Sequence, residues 1–269
     1  MKRNEIFDKI TRQIREKLET GVLPWRKSWQ AKLPMNFITK NPYQGINYLM
    51  LILNEYPSPY YLSYLQCQEK QGLINRGEHG SQVIYYSVKA YPDKKDPDKF
   101  KNIPILRYST VFNLSQTNLY KPGEEKATII SCEELLSKMT CPPVIKHNIG
   151  RCYYVSSEDY ISLPGINDFD SSGEYYSSLF HELIHWTGNP QRLNRLSSNK
   201  KDDSYKLEEL IAELGSSYLC GLCGIETSVL DNQTSYIASW LKGLNHDPAL
   251  FVNAAVAAQK AVSFITSQA

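Results

Sequence analysis

The chain has 269 residues, 42% of them hydrophobic and 22% charged, an ordinary globular composition that can bury a sizeable core in one large or two smaller domains. Its start has no apolar signal-peptide segment, and no stretch approaches the ~18 apolar residues of a membrane span. We therefore expect a cytoplasmic protein with reduced thiols and no membrane partner. Residues 1–130 carry 20 Lys and Arg against 12 Asp and Glu, a net charge of +8, whereas residues 131–269 carry −6. A basic half joined to an acidic half suggests two domains, and a polyanion is the natural partner of the basic one.

The basic half predicts a small α+β arrangement. Residues 3–21 are expected to form a helix, because apolar residues recur every four positions and Gly21 ends the run. An aromatic and basic turn follows, and residues 36–47, with a proline and a glycine, are predicted as a loop or hairpin. The other expected elements here are a short apolar segment at 48–54, a helix at 63–71, strands at 82–88 and 107–114, and an exposed loop at 89–103.

A polar segment with Pro122-Gly123, residues 117–130, is predicted to be a linker between domains at 1–125 and 126–269. The expected elements beyond it are a helix at 132–138, short strands at 153–155 and 160–163, and helices at 174–187, 204–223, 233–244 and 248–267. The predicted fold class is therefore α+β, with a small N-terminal α+β domain and a mostly helical second domain. The lone C-x-x-C at 220–223 has no second pair at zinc-ribbon spacing, so we interpret it as helix packing.

A metallopeptidase-type pattern, H-E-x-x-H, lies in the predicted helix 174–187. His181 and His185 are four residues apart and share one helix face, so both imidazoles can bind one ion. Glu182 can hold a water on that ion and accept its proton, because zinc lowers the pKa of a bound water. The apolar flanks and the helix end at Gly188 favour this interpretation over two unrelated histidines. We therefore predict a Zn²⁺ site with Glu182 as its possible general base.

A catalytic zinc site needs a third protein ligand. No histidine follows at the H-x-x-G-x-x-H spacing, which leaves a carboxylate on a later helix. Glu209 is predicted as the ligand and Glu213, one turn on, as the acceptor of a hydrogen bond from a ligand histidine; the reverse assignment stays open. Glu208 points about 100° away on the helix and is predicted to be solvated.

Two tryptophans enclose two cations in the turn at 25–29, which predicts a contact with single-stranded DNA. Such binding needs cations along a groove and aromatic platforms for the bases. We expect Arg26 and Lys27 to contact phosphates. Trp25 and Trp29 either stack on bases or close the core of the small domain. Further candidates are Tyr43 for stacking, and Arg76 and Arg107 for the basic face.

These motifs resemble the ArdC-type antirestriction proteins of conjugative plasmids and other mobile elements, and a segment of TraC-type plasmid primases. The matching segments are 180–188, 192–195, 208–215, 24–29, 41–47, 76–80, 108–113 and 236–241. His79 departs from the Lys or Arg expected there. The resemblance implies a single-stranded-DNA-binding domain at 1–125, a zincin-like metallopeptidase domain at 126–269, and protection of mobile-element DNA from host restriction.

Three functions fit these expectations. The first is an antirestriction protein that binds single-stranded DNA and carries a gluzincin-like His-His-Glu site. The second is an active zinc metallopeptidase that acts on a DNA-bound protein or a restriction enzyme, and the third is a DNA-binding module with a non-catalytic zinc. Glu182 favours a hydrolytic site, because a structural zinc needs no base. The sequence shows no substrate cleft, and only Tyr205 and Tyr218 as nominal oxyanion stabilisers, so proteolysis stays open.

Overall fold

Two compact units make up the protein, as seen in a computed structural model. The structure describes residues 3–21, 23, 25, 33–92, 100–122, 130–196, 203–225, 238, 240–243 and 250–267. Most of the helix predicted at 233–244 lies outside these ranges. The helical unit comprises Met1–Leu33, Gln44–Leu53 and Lys126–Ala269, and the sheet unit comprises Pro34–Tyr43 and Asn54–Glu125. The predicted division at 1–125 and 126–269 shares the border after residue 125 but assigns 1–33 and 44–53 differently.

Four strands form the sheet unit: β1 (Met35–Asn36), β2 (Tyr60–Ser63), β3 (Ser81–Pro92) and β4 (Phe100–Asn113). Their order is β1-β2-β4-β3, with β1 parallel to β2 and the other neighbours antiparallel. The sequence predicted an exposed loop at 89–103, but the β3–β4 ladder continues from Ser81↔Val111 to Pro92↔Phe100. The prediction was wrong for residues 89–92 and 100–103, because backbone pairing with a neighbouring strand outweighs a polar, Pro-containing composition. Residues 93–99 lie outside the described residues.

A short helix, α3 (Tyr64–Glu69), follows β2 directly. Its first turn is fixed by a capping box. The Ser63 hydroxyl accepts from the backbone N–H of Gln66 (3.2 Å), and the side-chain Oε1 of Gln66 accepts from the backbone N–H of Ser63 (2.9 Å). Reciprocal bonds of this kind satisfy two donors that a helix start leaves unpaired, so the predicted helix at 63–71 forms here.

The helical unit contains α1 (Arg3–Glu19) and α2 (Gly45–Ile52) from the N-terminal part of the chain, and α4 (Cys132–Ser137) from the later part. The spacing-four pattern predicted α1 correctly. Residues 45–47 were expected to be loop, which was wrong, and the short apolar segment at 48–54 was assigned no helix or strand; α2 includes residues of both. Because α2 is apolar on nearly all sides, it lacks the polar stripe that marks a surface helix.

A small second sheet lies in the helical unit: β5 (Val144–His147), β6 (Tyr153–Val155) and β7 (Tyr160–Leu163), in the order β5-β7-β6. The β5 strand is parallel to β7, and β6 is antiparallel to it. The sequence predicted β6 and β7 but missed β5. All four β5 residues are exposed, so the strand shows no inside–outside alternation.

Three long helices complete the helical unit: α5 (Ser172–Thr187), α6 (Asp203–Cys223) and α7 (Leu250–Ser267). The α5 helix is capped by Ser171, whose hydroxyl accepts from the Glu174 N–H (3.1 Å), and it packs on β6, β7 and α6. By length and composition α7 is the one helix in the described ranges that would suffice to cross a membrane. It contacts α2, α5 and α6 through a buried alanine-rich face, which is also the pattern of a core helix.

Candidate metal site

The α5 and α6 helices bring His181, His185 and Glu209 together. The two Nε2 atoms lie 3.1 Å apart, and the Glu209 carboxylate lies 3.5 Å from Nε2 of His181 and 3.6 Å from Nε2 of His185. One donor atom from each side chain falls within 4.8 Å of the others. Among the residues that the structure describes, this is the one group of three side chains with metal-ligand geometry.

A second carboxylate lies behind each imidazole. Glu213 Oε1 is 3.6 Å from Nδ1 of His181, and Glu208 Oε1 is 3.4 Å from Nδ1 of His185. Each histidine thus directs Nε2 to the centre and Nδ1 to a glutamate, the arrangement that fixes the tautomer and ring orientation of a metal-binding histidine. Glu209 and Glu213 lie where their predicted roles require. The roles themselves, metal ligand for Glu209 and hydrogen-bond acceptor for Glu213, stay predictions.

The prediction that Glu208 is solvated was wrong, because the residue is 6% exposed. The guanidinium of Arg195 pairs with its carboxylate at 3.0 Å. A helical projection of α6 alone could not show this, since Arg195 comes from the loop that follows α5. In the sequence, Arg195 lies in a segment that matches the family, and nothing there predicted its place at the site.

The site is electrostatically suited to a cation. Burial lowers the pKa of His181, but the hydrogen bond that its ring donates to Glu209 and the charges of Glu182 and Glu213 outweigh it and raise that pKa to about 9. Burial raises the pKa of Glu209, but the hydrogen bond from His181 and the charges of both histidines lower it to about 2. Ionised carboxylates therefore surround the two imidazoles and favour a bound positive charge.

Two of the predicted catalytic candidates lie beside this centre. Glu182 is 7% exposed, and its charge acts on His181. Tyr205, one turn before Glu209 on α6, hydrogen-bonds the Glu209 carboxylate and is 40% exposed. Tyr218, the other oxyanion candidate, is 5% exposed and packs edge-on against the Tyr48 ring at 5.2 Å.

The donor set fits a divalent transition metal. Two imidazole nitrogens and one carboxylate oxygen are the protein ligands of several catalytic zinc sites, which keep a further position open. Manganese also accepts carboxylate and imidazole donors, so the set by itself does not select zinc.

The candidates for DNA contact have a mixed placement. Trp25 is 3% exposed, and its ring lies 5.7 Å from Trp240 and 5.5 Å from Phe251. Tyr43 is 7% exposed and packs edge-on against Tyr61. Trp25 is therefore a core residue, but of the helical unit and not of the small domain as the alternative had it. Neither ring is accessible to a base in this conformation.

The remaining DNA candidates are divided between exposed and undescribed positions. Arg76 and Arg107 are exposed in the sheet unit. Arg26, Lys27 and Trp29 lie outside the described residues. A nucleic-acid role for all of these side chains stays a prediction.

Comparison with known proteins first gives the class. Residues 131–257 match the model of a zincin-like metallopeptidase domain, and residues 4–112 match the N-terminal domain of the anti-restriction factor ArdC. The metal-free crystal structure of antirestriction ArdC protein from the R388 plasmid is 33% identical, covers 97% of both chains and superimposes with a TM-score of 0.80. The Mn(II)-bound structure of that protein gives a TM-score of 0.78. The chain therefore belongs to the ArdC family of antirestriction proteins.

The chain is also similar to a segment of much longer proteins and to one protein of similar length. A DNA primase TraC of Escherichia coli is 30% identical over 283 residues, which are 96% of this chain but only 27% of the primase. The chain spans 19% of a second TraC at the same identity. The uncharacterized protein y4eC of Sinorhizobium fredii is 27% identical over 285 residues and 92% of its own length.

Proposed function

We propose that this antirestriction-family protein binds Zn²⁺ through His181, His185 and Glu209, binds single-stranded DNA through its basic N-terminal part, and protects mobile-element DNA from restriction in the cytoplasm. The observation that carries the metal assignment is the convergence of two Nε2 atoms and one carboxylate within 4.8 Å. The DNA assignment is supported by the family match over residues 4–112 and by the net charge of +8 over residues 1–130.

The ligand residues come from two long helices, which suits a site of fixed geometry. When bound, the metal would supply a Lewis acid with a position open beyond the three protein ligands. Zinc is expected over manganese because, in the first-row divalent series, nitrogen and oxygen donors bind zinc more tightly than manganese. The Mn(II)-bound ArdC structure makes manganese the natural competitor to test.

Metal content of the purified full chain tests this proposal. We expect roughly one zinc per chain in the parent and near-complete loss in His181→Ala, because the remaining donors cannot replace an imidazole. His147→Ala is the matched control: this histidine is exposed on β5 and outside the three-residue group, so its removal leaves the metal content unchanged. Full metal content in His181→Ala would refute the site.

A second candidate function is proteolysis of a DNA-bound protein or a restriction enzyme. The specific observation in its favour is Glu182, a buried carboxylate beside His181 that is not needed to hold the ion. A carboxylate in this position can accept a proton from an attacking water, whereas a purely structural metal has no use for it. Substitution of Glu182 therefore distinguishes hydrolysis from simple metal binding.

A further inference from the structure

We propose that Arg195 and Glu208 form a positioning pair that holds His185 in its metal-binding orientation and sets the register of α5 and α6 at the site. This inference rests on the proposed metal binding and adds two residues outside the ligand set. It is carried by three sets of contacts: the Arg195–Glu208 pair, the bonds of Arg195 to α5, and the approach of Glu208 to His185.

Arg195 binds the Glu208 carboxylate in a bidentate manner. Its Nη2 donates to Oε1 at 3.0 Å and its Nε donates to Oε2 at 3.1 Å. Both side chains are largely buried, with 13% and 8% of their surface exposed. A buried carboxylate is costly without a partner, and the planar fork of arginine matches both of its oxygens.

The same guanidinium also binds the last turn of α5. Nη2 donates to the Ile184 carbonyl at 2.9 Å, and Nη1 donates to the Thr187 hydroxyl at 3.0 Å. A cation at a helix C-terminus satisfies carbonyls that the helix leaves unpaired. Arg195 therefore connects the end of the helix that carries both histidines to the helix that carries Glu209.

Glu208 transmits this connection to a ligand. Its Oε1 lies 3.4 Å from Nδ1 of His185, on the opposite side of the ring from Nε2 and the metal centre. A carboxylate at Nδ1 favours the tautomer with the proton on Nδ1, which leaves the Nε2 lone pair for the ion. Glu208 thus orients His185, and Arg195 orients Glu208.

Arg192 provides a matched control in the same loop. Its side chain is 11% exposed, pairs with the Asp159 carboxylate, with Nη1 at 3.0 Å from Oδ2, and donates from Nε to the Trp186 carbonyl at 2.7 Å. It therefore has the burial, the carboxylate partner and the helix-end contact of Arg195. Its described side-chain contacts go to Asp159, Tyr154 and Trp186 and not to a proposed ligand.

The experiment compares the affinity of full-length Arg195→Lys, Glu208→Gln and Arg192→Lys for Zn²⁺ and Mn²⁺, measured by competition with a chromophoric chelator. Lysine keeps the charge but loses the bidentate geometry. Glu208→Gln keeps the shape of the side chain without its charge. The metal affinity of this variant decides the outcome if Arg195→Lys does not fold. We expect both site variants to bind metal about 10–100-fold more weakly, and Arg192→Lys to stay within about threefold of the parent.

The visible absorption spectrum of the Co²⁺-loaded proteins provides a readout of ligand geometry. We expect altered band positions in Arg195→Lys and a parental spectrum in Arg192→Lys, because only the former frees His185. Parental affinity and spectra in both site variants, or an equal loss in Arg192→Lys, would overturn the positioning role. If the parent itself binds no metal, the proposed function fails and this inference fails with it.

Discussion

Glu182 is the side chain on which a hydrolytic role depends. It lies next to His181 on α5, is 7% exposed, and its charge helps to raise the pKa of His181. Glutamine has nearly the same shape but cannot accept a proton. We therefore expect Glu182→Gln to keep the parental metal content and to reduce any hydrolysis of an unfolded protein substrate by roughly 10²–10⁴-fold.

The control for this variant is Glu158→Gln. Glu158 is a carboxylate with 65% exposure, 3.8 Å from Lys146 and outside the three-residue ligand group, so its substitution leaves both properties unchanged. Protection of plasmid DNA against restriction in cells is the biological readout. If Glu182→Gln protects as well as the parent, antirestriction does not require catalysis.

Single residues also show how far sequence alone reaches. His181, Glu182 and His185 were predicted from spacing, because the i and i+4 relation is local to one helix. The burial of Glu208 was not predicted, because it depends on Arg195, which comes from a separate loop. Trp25 illustrates the same limit, since its partner rings lie more than 200 residues away in the sequence and no periodicity reports them.

The close packing of α5 against α6 depends on Gly215. A Cβ at this position would lie 2.6 Å from Cδ1 and 2.8 Å from Cγ1 of Ile184, the residue immediately before His185. Gly215→Ala is therefore expected to cost about 1–3 kcal/mol by overpacking. This exceeds the gain of about 1 kcal/mol from the better helix propensity of alanine, so the free energy of unfolding should fall.

Urea unfolding of the metal-free proteins measures this effect. Gly173→Ala is the control in α5, where the nearest atom to an added Cβ is Ser171 Oγ at 3.7 Å, an ordinary contact. That substitution should be neutral or stabilising by up to about 1 kcal/mol. A Gly215→Ala protein as stable as the parent would show that the two helices can move apart at no cost.

At the level of elements, the predictions succeeded where hydrophobic periodicity was strong. The amphipathic α1 and the long α5 and α6 were predicted within a few residues. The helix α2 and the strand β5 were missed. The α2 residues are nearly all apolar and the β5 residues are all exposed, so neither element shows a periodic change between buried and exposed positions. The strands β3 and β4 are longer than predicted, because strand pairing is non-local and leaves little trace in composition.

The charge of the molecule is unevenly distributed along the chain. The first 130 residues carry a net charge of +8 and the remainder −6. The metal ligands belong to the acidic part, where carboxylates favour a cation, and the exposed Arg76 and Arg107 belong to the basic part. The asymmetry was readable from the sequence and is consistent with a polyanion and a metal ion bound by different parts of the chain.

This asymmetry leads to a prediction for DNA binding by the full-length protein. Affinity for a labelled single-stranded oligonucleotide should fall steeply as salt rises, because contacts to phosphates release counterions. If Arg76 and Arg107 each contact a phosphate, the double alanine variant should flatten the slope of log K against log salt by about 1.4. Arg151→Ala removes an exposed cation from the acidic part and should leave the slope unchanged. Binding that is insensitive to salt, or equally weakened by Arg151→Ala, would refute electrostatic recognition by the basic part.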